Sequence, residues 1–94
     1  MPLANDLEAF FVKNESRSRD QLFDLLRIPS VSARSEHNPD TARAAAWIAD
    51  SLVAIGMTAT VHPTKGHPIV VGQWRRARPG AQTVLIYGHY DVQP

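Results

Sequence analysis

Apolar positions along the chain fall into short patterned stretches separated by polar punctuation. In Asn5–Lys13, Leu7, Phe10 and Phe11 give an apolar helical face, Asn5 stands where a cap belongs, and Asp6 and Glu8 suit the positive end of the dipole. Asn14–Arg19 is wholly polar, which predicts a break or bend there. A second helix runs to about Arg27, with Leu22, Phe23, Leu25 and Leu26 as its apolar residues, and Pro29 ends it near Ile28. The apolar side chains of both segments are expected in the core. Pro29–Pro39, rich in Ser, Asn and Pro, reads as a loop. Asn38 as cap and Pro39 at the first helical position then open a helix that runs to Ile55. Ala45, Ile48, Ala49 and Leu52 share one face of it, Trp47 flanks that face, and Gly56 is suited to follow the last turn.

The period then changes from helical to extended. Met57–Pro63 alternates weakly, with Val61 on one side and Thr60 and His62 on the other. Thr64-Lys65-Gly66 makes a turn, and Pro68–Trp74 is a second strand in which Gly72 marks a bulge or a close backbone approach. The basic loop Arg75–Gly80 leads to Thr83–Tyr87. Val84, Leu85 and Ile86 show no alternation, so this third strand is expected at the centre of a sheet, buried on both faces. The fold class is α/β, with helices followed by three strands of an incomplete mixed sheet. A chain that ends soon after a buried strand lacks partners for it. Residues 1–94 are therefore expected to be the N-terminal portion of a larger catalytic domain.

Composition narrows the classes. The net charge of +1 gives no electrostatic case for nucleic acid or a membrane surface. No run approaches the ~20 apolar residues of a membrane span, and the N-terminus lacks the basic and long apolar regions of a signal peptide. The chain has no cysteine, hence no disulfide framework and no thiolate metal site. These features fit a cytoplasmic protein.

The candidate chemistry follows Gly88. His89 and Asp91 are two apart, so in extended backbone both face one side while Tyr90 faces the other. Function in open α/β sheets sits beyond the carboxyl ends of strands. A neutral imidazole is a good zinc ligand, and a carboxylate on its other nitrogen fixes the tautomer and raises its basicity. The plainer alternative is a strand-end histidine beside an aspartate that starts a turn. Ser30, Ser32 and Ser35 stand in no recognisable relation to a general base, so none is assigned as a nucleophile. His37 lies in the most polar part of its loop and is expected in solvent. His62 and His67 are placed at the far end of the hairpin from His89, away from any site it forms.

The string GHYDVQP, Gly88–Pro94, after an apolar run resembles the first metal-binding motif of the M20 family of metallopeptidases. The Tyr and the Val-Gln-Pro tail look most like its dipeptidase, carnosinase-like branch. Leu25–Ala33, LLRIPSVSA, is similar to the end of the first helical region of that family. The resemblance implies His89 as a metal ligand and Asp91 as the catalytic-site carboxylate that orients it. It implies two divalent ions, zinc first, with manganese or cobalt as substitutes, that activate a water to hydrolyse a dipeptide or short peptide. The remaining ligands and the general-base Glu would lie beyond Pro94, so the 94 residues alone are expected to be inactive. A homodimer is compatible with this reading. The rival readings are a non-catalytic fragment or association module, and an M20-type deacylase of N-acyl amino acids.

Overall fold

A computed structural model describes residues 2–94. Helix α1 (Pro2–Leu26) is followed by a short 3-10 turn (Ser35–His37), helix α2 (Asn38–Ala54), and strands β1 (Thr58–His62) and β2 (Ile69–Gln73). Among the described residues the sheet has two strands, paired antiparallel with Thr58 opposite Gln73 and His62 opposite Ile69. The architecture is α/β.

The two helices expected before Pro29 are one. Nothing in Asn14–Arg19 breaks a helix, because the segment has neither Gly nor Pro and its Asn14, Glu15 and Arg19 side chains find partners along the helix. The Asn14 amide donates to the Phe10 carbonyl at 2.9 Å, and Arg19 pairs with Glu15 one turn back at 2.6 Å. Nor does α1 supply the core: Leu7, Phe10, Phe11, Leu22, Phe23 and Leu26 are all exposed. The helix ends as expected, where Arg27 N–H reaches the Phe23 carbonyl and Ile28 N–H the Leu25 carbonyl ahead of Pro29.

The buried residues lie where the loop after α1 meets α2. Ile28, Val31, Ala44 and Ala45 are the buried apolar residues, with Ser30 and Thr41 buried among them. Thr41 is satisfied by the His37 carbonyl at 3.2 Å. His37, rather than Asn38, stands at the N-cap position of α2, without a side-chain cap bond, and Pro39 lies in the first turn. The His37 ring is half-buried, not solvated, because its Nδ1–H donates to Asp40 at 2.8 Å, and Arg43 holds the other oxygen of Asp40 at 3.1 Å.

Helix α2 packs on both strands. Residues directly opposite in an antiparallel pair share a side, so Ala59 with Gly72 and Val61 with Val70 form one face. That face looks at α2, since a Cβ on Gly72 would stand 2.8 Å from Leu52 Cδ1. Gly72 therefore marks a close approach. Ile69 and Val71 lie on the other face and are exposed.

The expected third strand is absent. Thr83–Tyr87 has no strand assignment and makes no backbone–backbone hydrogen bond, and Val84, Leu85, Ile86 and Tyr87 are 82–91% exposed. A strand exists only through its ladder, and neither edge of the β1–β2 pair takes this segment. Pro79 and Gly80, the latter at φ +80°, turn the chain, with Ala81 N–H on the Arg78 carbonyl at 3.1 Å. The segment then runs back to the first residues of β2.

Candidate metal-ligand site

Residues 89–92 are held by the loop that follows α1. Val92 N–H donates to the Ser30 carbonyl at 3.0 Å, and the buried Ser30 hydroxyl donates to the Tyr90 carbonyl at 3.0 Å. The Tyr90 hydroxyl donates to the Pro68 carbonyl at 2.6 Å, fixing the segment to the start of β2. Burial, and then the negative charge of Asp91, push the Tyr90 hydroxyl above its ordinary pKa. One backbone bond and two side-chain bonds thus anchor the segment where a ladder does not.

Tyr90 turns to Pro68, while His89 and Asp91 meet each other as the two-residue spacing predicts. His89 Nδ1 lies 2.7 Å from Asp91 Oδ1. The Ser32 hydroxyl donates to the second oxygen, Oδ2, at 2.6 Å. Both bonds favour the ionised carboxylate, so Asp91 is held below the usual carboxylate range, by Ser32 first and by His89 second. An ionised carboxylate only accepts, so Nδ1 carries the proton and a neutral ring keeps its lone pair on Nε2. The His89 side chain is 77% exposed, which leaves that nitrogen open.

His67 is at this end of the molecule, not the far end. The Tyr90 hydroxyl on the Pro68 carbonyl brings residues 89–92 to the start of β2, next to His67. Its Nε2 donates to the Ser32 carbonyl at 2.9 Å, since a carbonyl only accepts. Thr64 shapes the turn before it, accepting from Gly66 N–H at 3.0 Å and donating to the His67 carbonyl at 2.7 Å. His67 therefore supports the loop that carries Ser32. His62 is exposed.

The donor set matches one metal ligand with its orienting partner. A tautomer fixed by a carboxylate, with an outward Nε2 lone pair, is what a zinc-binding histidine requires. Among the described residues no group of three or more His, Cys, Asp or Glu side chains is arranged to hold a metal ion. A catalytic zinc shell needs three protein ligands, whereas the described residues bring together one imidazole and one carboxylate, His89 and Asp91.

Ser30 and Ser32 are the residues that sequence reasoning missed. Neither is placed as a nucleophile, and both are hydrogen-bond donors to the His89 segment. Two hydroxyls two residues apart, in a loop preceding a His-x-Asp pair, were the available signal.

The chain is similar to known dipeptidases. It is 31% identical over 81 residues to a cysteinylglycine-S-conjugate dipeptidase of Corynebacterium striatum, covering 86% of this chain and 18% of that protein. It is 33% identical over 88 residues to a Cys-Gly metallodipeptidase of Candida albicans, covering 80% of this chain and 18% of that protein. The chain thus spans about 18% of the length of the curated relatives it matches. No protein-family profile matches it, and no solved structure does. No described helix is long and apolar enough to cross a membrane.

Proposed function

We propose that these residues contribute the first metal ligand, His89, to the active site of a metal-dependent dipeptidase of the M20 type, with Asp91 as its orienting carboxylate. The observation that carries this reading is the 2.7 Å contact between His89 Nδ1 and Asp91 Oδ1, which leaves Nε2 to bind. The likeness to Cys-Gly dipeptidases supports a short peptide with free termini as substrate, a cysteinyl-glycine dipeptide before others.

The site would be completed by ligands and a general base outside these residues, around two divalent ions, zinc first and manganese or cobalt as substitutes. When bound, such ions polarise the scissile carbonyl and lower the pKa of a water. Within this chain, Asp91 holds the proton on Nδ1, Ser32 holds Asp91, and the Tyr90 and Val92 contacts hold the backbone between them. The run Val84–Ile86 joins the sheet of the complete domain. The protein acts in the cytoplasm, without nucleic-acid or membrane partners, and the 94 residues alone are inactive.

The test is hydrolysis by the whole protein. Metal-dependent cleavage of Cys-Gly, lost in His89→Ala, is the expected result. Cleavage of N-acyl amino acids in preference to dipeptides would move the assignment to the deacylases. Metal-independent cleavage, or full activity in His89→Ala, would remove it.

A further inference from the structure

We propose that Ser32 is a positioning residue: its hydroxyl fixes the carboxylate of Asp91, and through it the ring of His89. The inference rests on the reading of His89 as a metal ligand for its consequence, but on the hydrogen bonds alone for its geometry. Asp91 presents two oxygens, each with one partner. Oδ2 accepts from Ser32 Oγ at 2.6 Å and Oδ1 faces His89 Nδ1 at 2.7 Å. With Oδ2 held, rotation of the carboxylate is stopped, so Oδ1 stays where it meets the imidazole. Without Ser32, a half-exposed carboxylate turns toward water and shares its oxygens with solvent.

Ser32 is itself held from two sides. His67 Nε2–H binds its carbonyl at 2.9 Å, and Ser30, two residues before it, is tied to residues 90 and 92 by two hydrogen bonds. Three separate parts of the chain are therefore linked in one series of hydrogen bonds that ends on the His89 ring: the turn before β2, the loop after α1, and the His89 segment. Ser35, three residues further on, is exposed and makes no such contact, which makes it the control.

The experiment uses the whole protein, stripped of metal with a chelator, labelled with 15N in histidine and studied near pH 8, where an unperturbed imidazole is neutral. In the wild type, His89 should show a protonated Nδ1 and an unprotonated Nε2. Ser32→Ala should shift the ring toward a mixture of tautomers and weaken zinc binding, read by chelator competition, by about tenfold, the lower end of the range for partners of a metal-bound histidine. Ser32→Thr, which keeps a hydroxyl, should restore the wild-type spectrum, and Ser35→Ala should never lose it. An unchanged His89 spectrum and zinc affinity in Ser32→Ala would overturn the proposal. So would loss of the signature in Ser32→Thr as well, because the effect would then come from packing and not from the hydroxyl. An unchanged metal count in His89→Ala would remove the metal reading alone. The ring spectra would still decide for or against Ser32.

Discussion

His89 offers its Nε2 because its Nδ1 is engaged, and that engagement is a property of Asp91. Replacing Asp91 by Asn keeps the shape but removes the charge, and an amide can also present N–H to the ring. In the whole protein, Asp91→Asn should keep metal bound but lower affinity or activity by roughly 10–100-fold, whereas His89→Ala should lose a metal. Metal analysis beside kinetics separates the two, and equal behaviour of both variants would contradict the roles assigned. The same contacts set a pH dependence. The folded pKa of Asp91 is depressed, so the contribution of its bonds is present above the ordinary carboxylate pKa and lost as pH falls through the folded value. Tyr90 has the opposite sign. Its folded pKa is raised, so its anchor on Pro68 is present below ~10 and lost as pH rises through the folded value. NMR shifts of Ser32 and Tyr90 should report release of the segment at both extremes. Release at neutral pH would contradict this account.

Among the elements, α1 departs most from the sequence expectation. The polar run Asn14–Arg19 lacks apolar residues but not helix-forming capacity, and polarity does not end a helix whose side chains pair along it. Ser16→Pro should therefore cost about 3 kcal/mol of helix propensity and a visible part of the helical circular dichroism. A hinge at Asn14–Arg19 would tolerate the proline without that loss. Helix α2 and both strands were legible because their signals were local: Pro39 at the start, Gly56 at the end, alternation in Met57–Pro63, and the turn at Thr64–Gly66. Gly72 was legible as a close approach but not as to its neighbour. A side chain there must displace Leu52, so Gly72→Val should destabilise by about 1–3 kcal/mol in thermal unfolding, and a neutral result would mean that α2 does not rest on β2 at that point. In the candidate site the pair His89–Asp91 was legible from its spacing. The Ser30 and Ser32 contacts were not, because they join residues some sixty positions apart and no local pattern announces them.

For the whole molecule, extent and exposure agree. The radius of gyration is 15.9 Å, against roughly 12 Å for a compact chain of this length. The long axis of 49 Å reflects α1, whose 25 residues span about 37 Å. Among the described residues four buried apolar ones make a small core, while α1 and Val84–Tyr87 expose large ones. Contiguous exposed apolar surface promotes association, so the 94 residues alone should sediment as oligomers or aggregates. A cooperative, monomeric unfolding transition would contradict that. The expectation of a buried third strand failed here because burial belongs to the sheet that covers a strand, whereas the run Val84–Ile86 shows only that cover is needed. Whether His89 binds metal is decided by the metal content of the whole protein, purified in parallel as wild type and His89→Ala and saturated with zinc. The variant should hold one ion fewer per chain after dialysis. Equal metal content in the two proteins would contradict it.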